Sequence, residues 1–453
     1  MSPPSPGRAV AVHVLERVAR DGAFADLVLD AALARQRLTM RDAALATELA
    51  YGTLRWQRYL DWVLMPHSRR PLESLEARVL AALRIAAYQL VFLERIPPFA
   101  AVNDAVSLAG SKPGVGGFVN AVLRALARRG PREREPTAPP DPVEALALRC
   151  SFPTWLAARW VQRYGLDEAR ALMLAMNARP PLAIRANTLR LSRCELARRL
   201  GTEEERRVTP TRYAPEGLIV DHGGGPPASW RVFGEGACAV QDEASMLVAH
   251  LVGVEPGNTV ADVCAAPGTK TTHLGQLMAN RGRILAFDRE PARLMRVAEG
   301  VARLGISIVE TRAGSVESLA PGYTSSCDAV LVDAPCSNLG VLRRHPEVKW
   351  HREAQELSRS ASEQRRILQA AVTMLRPGGR LVYATCSLEP EENEDVVRDL
   401  LKVRADLTID PPPSFPIPLD TDGVLRCFPH RHATDGFTAI RLRRAMNPRL
   451  GAV

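Results

Sequence analysis

The sequence contains no long apolar run among its 453 residues. Its most apolar stretch, residues 75–96, is interrupted by five charged side chains, whereas a membrane-spanning helix needs roughly 20 apolar residues in succession. The first 20 residues also lack the apolar centre of a secretory signal. These absences exclude a membrane-spanning protein and predict a cytoplasmic location.

Aromatic residues are scarce and make up 5% of the chain. The cores must therefore be built mainly from Ala, Leu and Val, a composition that favours helices. Hydrophobic residues nevertheless reach 46% and charged residues 24%, values typical of folded proteins, which excludes global disorder. The length predicts two to four domains.

Closely spaced cysteines are also missing. None of the eight cysteines belongs to a C-x-x-C pair, and the two that are closest, Cys327 and Cys336, are nine positions apart. That spacing argues against a zinc knuckle, and a cytosolic chain of this length is not expected to carry a disulfide framework. The nine histidines show no ligand spacing, so no metal is predicted. Each cysteine is either a small buried apolar residue or a chemically active thiol.

Positive charge is present in excess and is unevenly distributed. The net charge is +9, and residues 1–130 hold 17 Lys and Arg against 11 Asp and Glu. A basic domain of this kind is suited to a polyanion. An arginine-rich soluble surface explains the excess equally well on charge alone.

The chain divides into four parts by composition and periodicity. Residues 1–129 show helical spacing of apolar residues, which predicts an all-α bundle. Residues 130–142 (GPREREPTAPPDP) are proline-rich and charged, and predict an extended linker. Residues 143–240 mix helical stretches with one alternating strand at 182–187, and predict a small α+β subdomain. In residues 241–446 strands and helices alternate, which predicts a Rossmann-like α/β domain with a parallel sheet. Its predicted strands are 259–263, 283–287, 307–311, 329–332 and 380–384.

The first strand of the α/β part runs into a loop of small residues, 262–268 (DVCAAPG), that precedes a helix. Small side chains at such a turn let a ligand approach the backbone at the carboxyl edge of the sheet. Asp288, at the end of the second strand, is placed to bind ribose hydroxyls. Neither a G-x-x-x-x-G-K-[ST] phosphate loop nor a G-x-G-x-x-G fingerprint is present. The pattern predicts a nucleoside cofactor without pyrophosphate, such as S-adenosylmethionine, although an ordinary strand–turn–helix has similar features.

Two cysteines follow the ends of two further strands: Cys336 in residues 333–337 (DAPCS) and Cys386 in residues 383–387 (YATCS). Ligands bind at this edge of parallel sheets, so both thiols are expected beside the cofactor loop. Either thiol alone would also suit a buried core. A thiolate that adds to carbon 6 of cytosine makes carbon 5 nucleophilic toward a sulfonium methyl group, which would give the pair a chemical role.

Such a nucleophile needs supporting groups. Lys270 and Arg343 are candidates for the cation that activates a thiol. Asp333 is the candidate for an acidic group that stabilises the adduct near N3 of the ring.

These motifs resemble those of the RNA cytosine-5 methyltransferases. The similarity continues through residues 339–350 (LGVLRRHPEVKW), 390–394 (PEENE) and 435–437 (DGF), so the set is long and specific. The resemblance implies that Cys386, the thiol of the T-C motif, is the nucleophile. It implies that Cys336, the thiol of the P-C motif, aids product release.

The N-terminal part resembles the RNA-binding domain of the NusB family. The similarity lies in residues 24–26 (FAD), 49–55 (LAYGTLR), 102–106 (VNDAV) and 118–124 (FVNAVLR). Fusion of such a domain to this type of methyltransferase is the architecture of the bacterial small-subunit ribosomal RNA methyltransferase B family. The resemblance covers nearly the whole chain and implies methylation of a cytosine in 16S ribosomal RNA by a monomer, with no DNA or membrane partner.

The same resemblance assigns the remaining site residues. Asp333 is expected to contact the cytosine, and Lys270 joins it in the catalytic set. In the middle subdomain, Arg185 and Asn187 are expected to face RNA. The residues expected to hold S-adenosylmethionine are Cys264, Ala265, Ala266, Pro267, Gly268, Thr269, Lys270, Asp288, Arg293, Ser315 and Asp333.

Two of these positions depart from the family pattern. Thr269 stands where the cofactor loop usually has a second glycine, and a side chain there is expected to crowd the loop or alter its turn. Ser315 follows Ala313 and Gly314, where the family usually offers an aspartate toward the adenine. Ser315 is expected to be a weaker substitute.

Other residues allow two interpretations each. The basic run of Arg343, Arg344, His345 and Lys349 is predicted to contact phosphates near the target base. Trp350 suits base stacking and a core position equally, whereas Trp56 and Trp62 are predicted to be core residues. Three carboxylates are predicted to mark a helix N-terminus: Glu391, Glu392 and Glu394.

Two alternative functions remain open at this point. The sequence is compatible with a cytosine-5 methyltransferase that acts on transfer RNA. The helical domain and the basic charge are also compatible with a non-catalytic RNA-binding or ribosome-assembly factor.

Overall fold

The structure, a computed structural model, describes residues 4–36, 38–129, 135–221 and 225–446. The chain forms two compact units. Residues 1–179 and 342–352 make the first unit, and residues 180–341 and 353–453 make the second. Within the described ranges, no helix is both long and apolar enough to cross a membrane.

The first unit is helical, as predicted for its N-terminal part. Its core is formed by small and aliphatic side chains, among them Leu49, Leu83 and Leu123, none of which is exposed. The helices are α1 (Pro6–Asp21), α2 (Ala25–Arg35), α3 (Met40–Leu64), α4 (Ala77–Phe92), α5 (Pro98–Leu108), α6 (Val115–Ala127), α7 (Pro142–Arg149), α8 (Thr154–Tyr164) and α9 (Leu166–Asn177).

Local signals place several of these helix ends. Thr39 caps α3, because its hydroxyl accepts a hydrogen bond from the backbone N–H of Asp42 at 3.1 Å. Asp141 caps α7 in the same way, at 2.7 Å from the N–H of Glu144. Residues 130–134 of the predicted linker lie outside the described residues.

The second unit begins with a four-stranded antiparallel sheet in the order β2-β3-β1-β4. Ile184 and Leu218 on neighbouring strands pack with Leu196 in a small apolar core. The elements are β1 (Leu182–Ala186), α10 (Arg193–Glu203), β2 (Val208–Pro210), β3 (Gly217–Val220), α11 (Arg231–Gly234) and β4 (Cys238–Val240).

The rest of the second unit is an eight-stranded sheet in the order β10-β12-β9-β8-β5-β6-β7, with β11 paired to β12. Its elements, together with α16 of the first unit, are α12 (Glu243–Val252), β5 (Thr259–Asp262), α13 (Thr269–Leu277), β6 (Arg283–Asp288), α14 (Pro291–Leu304), β7 (Val309–Ala313), α15 (Val316–Leu319), β8 (Cys327–Asp333), α16 (Val348–His351), α17 (Ala354–Thr373), β9 (Leu375–Thr385), α18 (Glu394–Val403), β10 (Leu407–Ile409), β11 (Val424–Cys427), α19 (Pro429–His432) and β12 (Phe437–Arg444).

The predicted parallel sheet is only partly correct. The five predicted strands are present as β5 to β9 and pair in parallel, with β7 starting two residues later than expected. Strands β10, β11 and β12 were not predicted, and their pairings are antiparallel. Six of the eight residues of β12 are buried in succession, so the strand lacks the alternation that marks a half-exposed strand.

Candidate functional site

The first site element is the loop between β5 and α13. The backbone N–H of Ala265 donates to the carbonyl of Phe287 at 2.8 Å, which ties the loop to β6. The N–H of Gly268 donates to the carbonyl of Ala265 at 2.7 Å and closes a tight turn. Gly268 has φ of +100°, and a Cβ at this position would lie 3.0 Å from the Cα of Val297. The turn therefore requires glycine at position 268.

The same turn geometry bears on Thr269, which stands where the family's cofactor loop usually has a second glycine. Thr269 is the first residue of α13, after the left-handed Gly268. The left-handed position of the turn belongs to Gly268, so Thr269 itself does not require glycine. Its carbonyl oxygen is an acceptor for the guanidinium of Arg185 at 2.9 Å.

A carboxyl group that the sequence analysis did not assign lies beneath this loop. The side chain of Asp262 is buried, and one oxygen accepts a hydrogen bond from the Thr271 hydroxyl at 2.7 Å. The other oxygen, Oδ1, has no hydrogen-bond partner among the described residues. Burial raises the pKa of Asp262 to about 7. A buried acceptor without a donor suits a ligand that carries an N–H group.

The thiol of Cys264 is a poor nucleophile in this environment. Burial is the largest of the causes that raise its pKa well above the ordinary value. Nearby carboxylates act in the same direction. Cys264 therefore contributes its backbone to the loop rather than a thiolate.

The ends of β6 and β7 add further polar groups at this edge. Asp288 is buried, accepts from the N–H of Glu290 at 3.0 Å, and lies 3.5 Å from the guanidinium of Arg293. Arg293 also donates to the carbonyl of Ala266 in the loop, at 3.3 Å. Ser315 uses its hydroxyl as the N-cap of α15, accepting from the N–H of Ser318.

Lys270 and Asp333 form an ion pair at 2.7 Å between Nζ and Oδ2. The ammonium also lies 4.8 Å from the centre of the Phe437 ring. The lysine side chain is 8% exposed and the aspartate side chain 28% exposed. The lysine therefore orients a carboxylate that remains accessible from solvent.

The two predicted thiols meet. Cys336 follows β8 and Cys386 follows β9, and Asp333 is paired with Ala384 across these parallel neighbours. The two sulfur atoms are 3.3 Å apart. The amide oxygen of Asn338 accepts from the Cys386 thiol at 2.9 Å. Neither cysteine is fully buried.

The electrostatics of the thiol pair are asymmetric. The hydrogen bond to Cys386 is the largest cause that raises the pKa of Cys336 well above its ordinary value, followed by burial and the charge of Cys386. Cys336 therefore holds its proton in the resting site. Two thiols this close cannot both be ionised at neutral pH.

Glu392, which was predicted only to mark a helix N-terminus, holds the P-C loop. Its buried carboxylate accepts from the N–H of Ser337 at 2.8 Å and from the Ser337 hydroxyl at 2.5 Å. Burial is the main cause that raises the pKa of Glu392. Glu391 and Glu392 lie in a short 3₁₀ turn that begins at Pro390, and helix α18 begins at Glu394, so the expected helix N-termini are present. The expectation misses only the contact of Glu392 with Ser337.

Two glycines bring three sequence motifs into contact. The N–H of Gly340 donates to the Cys386 carbonyl, and the N–H of Gly436 donates to the Gly340 carbonyl, both at 2.8 Å. A Cβ on Gly340 would overlap the Gly436 carbonyl oxygen and lie 2.7 Å from that of Cys386. Gly340 and Gly436, which belong to the motifs 339–350 and 435–437, thus position the loop that carries Cys386 through backbone hydrogen bonds.

We expect Gly340→Ala to lower the turnover number roughly 100-fold, because it displaces the Cys386 backbone. Overpacking should also lower the stability of the second unit by about 1–3 kcal/mol. Methyl-transfer kinetics and urea unfolding measure the two effects. Gly322→Ala is the matched control, because a Cβ there meets no atom within 4 Å. Equal activity in the two variants would contradict the packing argument.

The prediction that the basic run contacts phosphates is wrong for Lys349 and Arg343. Both are buried, at 1% and 4% exposure, and belong to the first unit. The Lys349 ammonium donates to the Arg55 carbonyl and to the Asn177 amide oxygen, both at 2.8 Å. The Trp350 indole N–H donates to a backbone carbonyl of α3 at 2.7 Å, so Trp350 has a structural partner. The buried side chains of Lys349 and Arg343 therefore contribute to the packing of the first unit.

Lys349→Ala is expected to destabilise the first unit by about 2–4 kcal/mol. The substitution leaves a cavity and removes the donor from two acceptors. Lys112→Ala is the control, because the Lys112 side chain is 70% exposed in its pair with Glu76 and should cost less than about 1 kcal/mol. Thermal and urea unfolding compare them, and similar midpoints for the two variants would contradict the anchoring role.

The expectation that Arg185 and Asn187 face RNA is also wrong. Each is 1% exposed and is hydrogen-bonded within the second unit. Asn187 donates to the carbonyls of Gly236 and Leu304, both at 2.9 Å. The structure agrees with the prediction that Trp56 and Trp62 are core residues. Trp62 is buried, and Trp56 packs on Phe92 with ring centres 4.9 Å apart.

Three family models match successive parts of the chain. The NusB family matches residues 5–128, and a ferredoxin-like domain of RsmF/B-like methyltransferases matches residues 152–225. The family described as 16S rRNA methyltransferase RsmB/F matches residues 249–443. The last match contains all four predicted catalytic residues.

Curated relatives match over nearly the full length. A probable ribosomal RNA small subunit methyltransferase B from Bacillus subtilis is 32% identical over 96% of this chain and 98% of its own. A probable methyltransferase of the same name from Synechocystis is 33% identical over 97% and 99%. The ribosomal RNA small subunit methyltransferase B of Pseudomonas syringae is 35% identical over 81% and 80%.

Solved structures support the same grouping. The protein PH0851 has a TM-score of 0.83, with 29% identity over 98% of this chain and 100% of its own. A methyltransferase homolog from Pyrococcus horikoshii has a TM-score of 0.59, with 31% identity over 68% and 99%. NSun6 from the same organism, solved with SFG, has a TM-score of 0.59, with 25% identity over 65% and 99%. Motifs, fold and relatives agree: this chain belongs to the ribosomal RNA small subunit methyltransferase B family and is an RNA methyltransferase.

Proposed function

We propose that the protein methylates carbon 5 of a cytosine in 16S ribosomal RNA, with S-adenosylmethionine as donor, through a covalent adduct between Cys386 and carbon 6. The observation that carries the proposal is the 3.3 Å separation of the Cys336 and Cys386 sulfur atoms at the ends of β8 and β9. Two thiols at this edge suit a reaction that needs a nucleophile and a second proton-carrying group.

Cys386 acts as the nucleophile in this scheme. Its thiol loses a proton, its sulfur bonds to carbon 6, and electron density moves to carbon 5. S-adenosylmethionine would supply the methyl group to that carbon, with cleavage of its sulfur–methyl bond and release of the neutral thioether S-adenosylhomocysteine. The proton on carbon 5 is then removed, and the carbon–sulfur bond breaks to regenerate the Cys386 thiolate and the aromatic ring.

Cys336 is placed to assist the last steps. Its pKa is raised first by the hydrogen bond to Cys386 and then by burial. When the Cys386 sulfur bonds to carbon 6, its hydrogen bond to Cys336 is lost, so the Cys336 thiol can release its proton to solvent and then accept the proton from carbon 5. The protonation states of the pair thus alternate as the reaction advances.

Asp333 and Lys270 are proposed to bind the cytosine. The Asp333 carboxylate is partly exposed and can accept a hydrogen bond from the ring once N3 of the adduct has been protonated. Lys270 fixes the carboxyl through the 2.7 Å ion pair and supplies a positive charge beside it.

The cofactor edge fits S-adenosylmethionine in its donors and acceptors. The orphan oxygen of buried Asp262 suits the ammonium of the amino-acid portion, and buried Asp288 suits the ribose hydroxyls. Arg293 bridges Asp288 and the loop carbonyl of Ala266. Ser315, already used as a helix cap, remains a weak candidate for the adenine. The residues that the sequence predicts to hold S-adenosylmethionine are part of this proposal.

The substrate follows from the relatives and from the helical domain. The relatives are named as small-subunit ribosomal RNA methyltransferases, and the NusB family matches the N-terminal helices. A ribosomal RNA substrate implies a cytoplasmic location. A monomer without DNA or membrane partners is the expected working form.

The testing experiment is methyl transfer to defined RNA. Pure protein is incubated with methyl-labelled S-adenosylmethionine and unmodified 16S ribosomal RNA, and the labelled nucleoside is identified after digestion. 5-Methylcytidine is the expected product. Label on transfer RNA alone would overturn the substrate, label on another nucleoside would overturn the chemistry, and no label on either RNA would favour a non-catalytic assembly factor.

A further inference from the structure

Arg185 lies on β1 of the small sheet, yet its guanidinium is directed at the elements that carry the cofactor loop. The side chain is 1% exposed. It donates to the Thr269 carbonyl at 2.9 Å and to the Thr272 hydroxyl at 3.1 Å, both in the first turn of α13. It also donates to the amide oxygen of Gln276 at 3.2 Å and to that of Gln241.

Several hydrogen bonds together fix the position of the first turn of α13. The Thr272 hydroxyl donates to the Gly268 carbonyl at 2.8 Å, so the same group joins Arg185 to the glycine of the turn. Gln276 returns a hydrogen bond from its amide to the Ala186 carbonyl at 3.0 Å, which locks β1 to α13 from both sides. A buried guanidinium is tolerated only where its donors are satisfied, so the geometry has little freedom to relax.

We propose that Arg185 is a positioning residue for S-adenosylmethionine, which sets the cofactor loop through the Thr269 carbonyl and the Thr272 hydroxyl. The inference rests on the proposed function and assigns the small sheet a role in cofactor binding.

Asn187 provides a matched control two residues along the chain. It is as buried as Arg185, and it also ties the small sheet to the large-sheet region, through the Leu304 carbonyl at the far end of α14. Within the described residues its side chain hydrogen-bonds to Gly236, Leu304 and Leu189, none of which belongs to the cofactor loop. A merely structural role predicts similar effects of substitution at both positions.

The experiment measures S-adenosylmethionine affinity by calorimetry, and KM for donor and RNA, in the full-length protein. Arg185→Met should weaken donor binding roughly 10- to 100-fold, the scale of lost hydrogen bonds to a charged group, while KM for RNA stays within about twofold. Arg185→Lys should recover part of the loss. Asn187→Ala should leave donor affinity within about twofold, even where its melting temperature falls.

Thr272→Val keeps the shape of the side chain and removes one acceptor of Arg185, so it tests the same contact if Arg185→Met does not fold. A several-fold loss of donor affinity in this variant supports the inference. Unchanged donor affinity in Thr272→Val and Arg185→Lys, or equal loss in Asn187→Ala, overturns it. Absence of donor binding by the unaltered protein would instead refute the proposed function.

Discussion

Cys386→Ala should abolish methyl transfer, with a rate reduction of about 10⁴-fold or more, the scale on which loss of a nucleophile acts in covalent enzymes. Neither neighbouring thiol of the described site is suited to replace it: Cys336 is held protonated by its neighbour, and burial makes Cys264 a poor nucleophile. The measurement is single-turnover transfer of labelled methyl groups to 16S ribosomal RNA. Donor affinity should be unchanged, because the cofactor loop lies on β5, two strands from Cys386.

A matched control for this variant is Cys427→Ala. Cys427 is buried, and burial raises its pKa, so its loss affects packing without touching the thiol pair. The two variants separate lost stability from lost chemistry. Retention of more than a few per cent of activity by Cys386→Ala would assign the nucleophile elsewhere.

Cys336→Ser should trap the reaction after the methyl group has been transferred. The Cys336 sulfur lies 3.3 Å from that of Cys386, and its thiolate becomes available as the pKa falls during adduct formation. A serine hydroxyl does not ionise near neutral pH, so the adduct cannot resolve. We expect most of the protein to migrate as a covalent RNA complex on a denaturing gel.

The double variant Cys336→Ser, Cys386→Ala is the decisive companion. It should form no complex, because the trapped bond is made by Cys386. A complex in the double variant, or a Cys336→Ser protein that turns over normally, would contradict the assigned division of labour between the two thiols.

The convergence of the two thiols could be predicted from the sequence, because topology alone decides their position. Residues at the carboxyl ends of neighbouring parallel strands must converge, so Asp288, Cys336 and Cys386 were predictable from strand order. The paired sulfur atoms confirm that part of the prediction. The helical first unit and the mixed α/β character of the second were equally accessible, because apolar periodicity is a local property.

Burial of charge was not predictable in the same way. Arg185 bonds to residues 56 to 91 positions away, and a single sequence contains no local mark of such contacts. Lys349 belongs to a basic run typical of a solvated surface and lies among first-unit helices instead. Glu392 was assigned to a helix end because its partner Ser337 is 55 residues distant.

The insertion of residues 342–352 into the helical unit has a consequence for synthesis on the ribosome. Residues 1–179 are synthesised first. The Arg55 carbonyl and the Asn177 amide oxygen can accept hydrogen bonds from Lys349 only after about 170 more residues have been added. At bacterial elongation rates that delay is roughly 10 to 30 s. The N-terminal helices must therefore persist as an incomplete nascent fold, and an isolated fragment 1–179 should expose the surface that this segment covers.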